Sequence, residues 1–133
     1  MTGEKINLQI TTPDKNFYEG DVDMVIFRAE TGEMGILPNH APLVTVLDIG
    51  YVRLKDTSTE KKAIVNEGFV EVLNNEVKIF TDSAEWPENV DKERAQKAKE
   101  RAERRLAQHE SDIDYCRADM ALKRAINRIK NID

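Results

Sequence analysis

A chain of 133 residues holds at most one ordinary domain with an appendage, and 40% apolar residues suffice for a core but are low for a wholly globular chain. A net charge of −5, with the basic residues of the charged tail interleaved with acids, argues against a nonspecific nucleic-acid binder. No signal peptide is expected, and no apolar run approaches the ~18 residues of a membrane span, so membrane association is expected only through a partner and not by direct insertion.

Ile6, Leu8 and Ile10 alternate with polar positions, and Pro13-Asp14 turns the chain before a second apolar run, Met24 to Phe27. The glycines at 32 and 35, Pro38, Asn39 and Pro42 break up the stretch 32–50, which is expected to hold only brief strands joined by tight turns. Alternation returns in YVRLK, passes a polar tip at DTSTEK and resumes in KAIVNEGFVEV. Asn74-Asn75 then separates FVEVL from EVKIFTD, and because Asn tolerates positive φ a two-residue hairpin loop is expected there. About eight to ten short strands at this spacing predict an antiparallel β-sandwich or barrel over residues 1–86. No internal repeat or low-complexity linker is evident, and the joint to the remainder falls between Ser83 and Asn89, around Pro87.

Residues 87–133 read as a two-helix hairpin, which makes the fold class α+β. The stretch from Val90 to Gln108 is built almost wholly of good helix formers, with Asp91 as N-cap, a small staple of Val90 on Ala95, and acid-first pairs Glu93/Lys97 and Glu100/Arg104. Its apolar stripe, Ala95, Ala98, Ala102 and Leu106, is thin. A second helix starts at Ser111, whose S-x-x-D pattern resembles a capping box, and carries a seam of Tyr115, Ala118, Leu122, Ala125, Ile129 and Ile132. The short polar link around Gln108 to Ser111 favours an antiparallel pair. An alanine face opposite that seam forfeits roughly 2 to 5 kcal/mol per position against a packed Leu or Ile, so the closed pair is expected to be marginal. A ligand contributing a few kcal/mol would then decide between compact and extended forms.

Little in the chain suggests catalysis. His40 reads as a loop or interface residue and His109 as solvated; GEMG lacks the lysine and hydroxyl residue of a phosphate loop; Cys116 reads as a helix-packing residue of a reducing compartment. Arg117, Arg124 and Arg128 are spaced by seven and four, and Arg94 and Arg101 by seven, so each set shares a helix face. Closed together, the two sets would suit a polyanion; held apart, they are two solvated charged faces, and periodicity leaves both readings open.

GEMGILPNHAPLVT (32–45), NEGFVEV (66–72), ERAERRL (100–106) and RADMALKRAINRI (117–129) together resemble the epsilon subunit of bacterial F-type ATP synthases over essentially the whole chain. The resemblance implies a non-catalytic central-stalk subunit on the cytoplasmic face of the plasma membrane, its sandwich touching the gamma subunit and the c-ring. It further implies a hairpin that lies compact or extends along gamma into the catalytic alpha/beta head to restrain ATP hydrolysis. Bacillus-like members bind ATP as a regulatory ligand through a motif of Ile or Leu, Asp, two variable residues, Arg and Ala, here Val90-Asp91-Lys92-Glu93-Arg94-Ala95. Val at the first position shortens the apolar wall by about a methylene, worth roughly 0.5 to 1.5 kcal/mol if buried. By the same positional match Glu85 and Asp91 would meet the nucleoside and Arg94, Arg101, Arg124 and Arg128 the phosphates; whether Mg2+ takes part is left open. Glu33 and His40 would fall near the c-ring. The alternative is a purely structural rotor adaptor that senses no nucleotide.

Overall fold

The computed structural model describes residues 4–108 and 111–132. Nine strands come first: β1 (Ile6–Thr11), β2 (Asn16–Val22), β3 (Met24–Ala29), β4 (Gly32–Ile36), β5 (Leu43–Asp56), β6 (Thr59–Val65), β7 (Gly68–Leu73), β8 (Glu76–Thr81) and β9 (Ala84–Glu85). A 3-10 turn (Pro87–Asn89) then leads into α1 (Lys92–Gln108) and α2 (Asp112–Lys130). The chain divides into two compact units, one ending at Glu85 and the other beginning at Trp86.

In the first unit the strand path runs β2-β1-β8-β7-β5-β3-β4, with β6 on β5 and β9 on β6. The ladders are antiparallel apart from β1 with β8, which run parallel. β5 makes the fold a sandwich. Its first part, Leu43 to Leu47, pairs with β7, while Gly50 to Asp56 pairs with β6. One strand of 14 residues therefore belongs to both layers, where the sequence suggested only brief strands interrupted at Gly50. Glycine does not end the strand because its neighbours on both sides are laddered; a Cβ there would meet Arg28 only at 3.5 Å.

Alternation fills the space between the layers. Ile6, Leu8 and Ile10 of β1, Val70 and Val72 of β7 and Val77 and Ile79 of β8 are buried together with Val25 and Phe27 of β3, Ile36 of β4 and Val52 and Leu54 of β5. The β7–β8 turn is the expected two-residue loop, Asn74 and Asn75 having φ of 50° and 61°. The expected joint is partly strand: Ile64 and Val65 pair with Glu85 and Ala84, so Ser83 to Glu85 are tied to the sandwich.

In the second unit Asp91 caps α1, accepting the Arg94 N–H at 3.0 Å, and Ser111 Oγ caps α2, accepting the Asp114 N–H at 3.1 Å. The Glu93–Lys97 pair closes at 3.7 Å. The buried residues of the helices are Ala95 and Ala102 on α1 and Ala118 and Ala125 on α2. This corrects the expected asymmetry of a thin alanine stripe against a bulky seam: alanine lies at the centre of both faces, with Leu122, Ile129 and Ile132 half-buried beside it. Tyr115, assigned to the seam, is 42% exposed, being most of a quarter turn from the Ala118 direction. Cys116 is exposed and packs no helix. His109 lies outside the described residues.

Candidate functional site

The helical unit carries the candidate ligand site. Every buried alanine follows an arginine: Arg94-Ala95, Arg101-Ala102, Arg117-Ala118 and Arg124-Ala125. One residue is about 100° of helix, so each arginine stands a quarter turn to the same side of the interhelix seam. Reversing one helix to make an antiparallel pair brings those quarter turns onto one face. The rows of α1 and α2 therefore flank a shared strip. Arg94 and Arg101 are exposed, and Arg124 and Arg128 are half-buried.

A strip of guanidinium groups from two helices suits a phosphate chain, which accepts bidentate, charge-assisted hydrogen bonds. Arg105, absent from the expected set, completes the row of α1. The spacings 94, 101, 105 and 117, 124, 128 are both seven and four, a regularity visible in the sequence once the buried alanines are known. Val90 is half-buried ahead of α1, and Ala95 is buried. Glu85 is half-buried on β9 and belongs to the sandwich unit, apart in the chain from the arginine rows.

Glu33 and His40 occupy two different surroundings on the sandwich. Glu33, on β4, accepts a hydrogen bond from the Tyr51 hydroxyl and pairs with Arg53 at 3.5 Å, while the Arg53 guanidinium lies 5.6 Å from the Tyr51 ring centre. Donation to Glu33 is the main cause that holds the Tyr51 hydroxyl above its ordinary pKa, with burial second. His40 donates from Nδ1 to the Ala41 carbonyl at 2.6 Å and lines a cavity of about 400 Å³ with Asn39, Pro42, Asn74 and Asn75. Asn39 braces that corner, its N–H donating to Asn75 Oδ1 and its Nδ2 to Glu4, both at 2.6 Å.

The outward face of β5 and β7 is unexpectedly apolar. Val44 is 70% exposed, and Val46, Phe69 and Leu73 are about half exposed. Phe69 stacks on Phe80 of β8 with ring centres 4.9 Å apart. Val44 and Val46 share one face of β5, and Phe69 and Leu73 one face of β7, whose other face buries Val70 and Val72. Among the described residues no group of His, Cys, Asp or Glu is placed to hold a metal, and no helix is long and apolar enough to cross a membrane.

Residues 5–87 match the beta-sandwich domain of the ATP synthase delta/epsilon chain, and residues 88–133 match its long alpha-helix domain. An ATP synthase epsilon chain of Halalkalibacterium halodurans is 50% identical over 93% of this chain and 94% of its own length. One from Bacillus velezensis is 48% identical over 93% and 94%. Among solved structures, a chain of the Euglena gracilis mitochondrial ATP synthase (OSCP/F1/c-ring) superposes with a TM-score of 0.81 at 25% identity, over 96% of this chain and 82% of that one. With both units accounted for in order, the chain belongs to the ATP synthase delta/epsilon chain family as a bacterial-type epsilon chain, a regulatory and not a catalytic subunit.

Proposed function

We propose that this chain works in the central stalk of a proton-transporting ATP synthase on the cytoplasmic face of the bacterial plasma membrane, as a peripheral subunit whose hairpin restrains ATP hydrolysis when extended. ATP bound across α1 and α2 stabilises the compact form. The sandwich docks on the gamma subunit and the c-ring, with Glu33 and His40 on the c-ring side; the extended hairpin reaches the alpha/beta head.

The observation that carries this reading is the alanine-centred contact between the helices. Burying four alanines contributes little apolar area, so the pair needs help to stay closed. A ligand at a hundredfold excess over its dissociation constant adds about 2.7 kcal/mol, a quantity large enough to decide such an equilibrium. The residues fit a nucleoside triphosphate in donor chemistry: Arg94, Arg101, Arg124 and Arg128 supply the shared strip, and Asp91 stands at its edge. Outside the helices, the exposed Val44, Val46, Phe69 and Leu73 supply apolar area for a large partner.

One observation favours the adaptor reading. Asp91 is already engaged as a helix cap, which accounts for its presence without a nucleotide. Truncation after Asn89 in the reconstituted complex separates the readings. Loss of the hairpin raises ATP hydrolysis if it inhibits, and unchanged hydrolysis sinks the inhibitory role.

A further inference from the structure

Residues 37–42 join β4 to β5 across one end of the sandwich, because Ile36 pairs with Val25 of β3 while Leu43 pairs with Val72 of β7. None of them is in a ladder. Pro38 and Pro42 fix their own φ but donate no N–H, so the turn is tied to the sandwich through the residues between them.

Asn39 makes that tie. It has φ of 67°, and Asn75, at the tip of the β7–β8 turn, has φ of 61°; both stand in the left-handed region, which Asn enters more readily than most residues. The two are clasped, the Asn39 N–H donating to Asn75 Oδ1 at 2.6 Å and Asn75 Nδ2 donating to Asn39 Oδ1 at 3.4 Å. Asn39 Nδ2 donates to Glu4 at 2.6 Å. Asn75 is anchored in turn, its carbonyl accepting the N–H of Asn7 on β1 at 3.0 Å. A continuous run of hydrogen bonds therefore leads from β1 through Asn75 and Asn39 to the turn that carries His40.

The His40 ring is oriented from within the same turn. Donation from Nδ1 to the Ala41 carbonyl keeps the proton of the neutral ring there and leaves Nε2 as an acceptor. The cavity of about 400 Å³ beside it is lined by the amide side chains of Asn39, Asn74 and Asn75, with the imidazole and Pro42. Such a lining offers donors and acceptors without net charge, which suits a polar, uncharged loop whose N–H groups reach Nε2.

We propose that Asn75 is a positioning residue, acting through Asn39 to hold the His40 turn in the shape that receives such a loop of the c-ring. This role rests on the reading that puts His40 on the c-ring side, and adds to it the device that presents the ring. Without the Oδ1 acceptor the Asn39 N–H loses its partner, the turn samples other shapes, and docking has to select one of them.

Two substitutions separate the clasp from the turn. Asn75→Gly keeps the positive φ and makes a favoured two-residue hairpin loop, but removes the acceptor; Asn75→Asp keeps the acceptor. With the chain assembled on the gamma subunit, affinity for the detergent-solubilised c-ring is measured for wild type, both variants, His40→Ala and His40→Ala/Asn75→Gly. Asn75→Gly is expected to bind about fivefold more weakly, the worth of one hydrogen bond, with faster amide exchange at Asn39, and Asn75→Asp to retain binding. The double variant is expected to bind as His40→Ala does, because Asn75 acts through the ring. Unchanged binding in Asn75→Gly overturns the positioning role and leaves His40 as the contact. A double variant about fivefold weaker than His40→Ala overturns it too, because a general loosening of the sandwich weakens both backgrounds equally. Unchanged binding in His40→Ala defeats the reading that puts His40 on the c-ring, and the role of Asn75 with it.

Discussion

The Asp91 carboxylate accepts the backbone N–H of Arg94 at 3.0 Å, so the residue that starts α1 also fixes the first arginine of the strip. The two roles separate by substitution. Asp91→Ala removes the cap and costs about 1 kcal/mol of helix stability, whereas Asn caps as well as Asp. Asp91→Asn is therefore expected to keep the helicity of the chain by circular dichroism yet weaken ATP binding; equal ATP affinity in wild type and Asp91→Asn would leave Asp91 a cap only.

The alanine seam sets how closely α1 and α2 approach. Ala118→Leu forces a larger side chain into that seam and is expected to destabilise the closed pair by about 1–3 kcal/mol. The exposed thiol of Cys116 accepts a spin label, and a second label introduced at Gln96→Cys reports the interhelix distance. A broader and longer distance distribution is expected in Ala118→Leu, narrowed again by ATP. An unchanged distribution would mean that the seam tolerates bulk and is not what makes closure marginal.

In the sandwich, Gly68 is the position least able to change. A Cβ there would lie 1.8 Å from the Phe80 carbonyl oxygen, an atom of the opposing strand that cannot rotate away. Gly68→Ala must spread β7 from β8, and the expected cost is about 1–3 kcal/mol or more, read as a lower denaturant midpoint of the sandwich. The displaced pair includes the Phe69–Phe80 stack, whose ring centres lie 4.9 Å apart.

A charge cluster holds the β5–β6 turn. Asp23 Oδ2 accepts the N–H of Thr57 at 2.6 Å, and Thr57 has the unusual φ of 53° for a β-branched residue; Lys5 bridges Asp23 at 3.0 Å and also bonds Asp56. The Thr57 N–H, then Lys5, hold Asp23 below its ordinary 3.8, and Asp56, then Asp23, hold Lys5 above its ordinary 10.5. The lowered carboxyl stabilises the fold above pH 3.8, a contribution lost as pH falls through its folded value. The raised amine stabilises it below pH 10.5, a contribution lost as pH rises through its folded value. Denaturation midpoints are expected to be flat between these limits and to fall outside them, and Asp23→Asn is expected to flatten the acid limb. An acid limb identical in that variant would remove Asp23 from the account.

Much of the fold was legible in the sequence because its signals are local. The alternation in β1, the Asn74-Asn75 loop and the caps at Asp91 and Ser111 each depend on a few adjacent residues. The continuity of β5 is not legible, because whether Gly50 breaks a strand depends on β3 and β6, which flank it from elsewhere in the chain. The arginine rows were partly legible: spacing placed Arg117, Arg124 and Arg128 together, but the direction in which they point follows only from which alanines are buried. The exposure of Tyr115 is hidden for the same reason, since apolar spacing does not locate the centre of a seam. The sequence does not single out Val44, Val46, Phe69 and Leu73, because LVTVL and GFVEVL are apolar on both sides of the strand and only the fold shows which side is exposed.

In the proposed function, ATP binds the compact hairpin through both arginine rows. Calorimetric titration of the isolated chain with ATP, with ADP and an Arg94→Ala variant as controls, tests it most directly. Saturable heat with ATP, weaker binding of ADP and loss of binding in the variant are expected. No heat at millimolar ATP, or heat unchanged by Arg94→Ala, would contradict it and leave a rotor adaptor that senses no nucleotide.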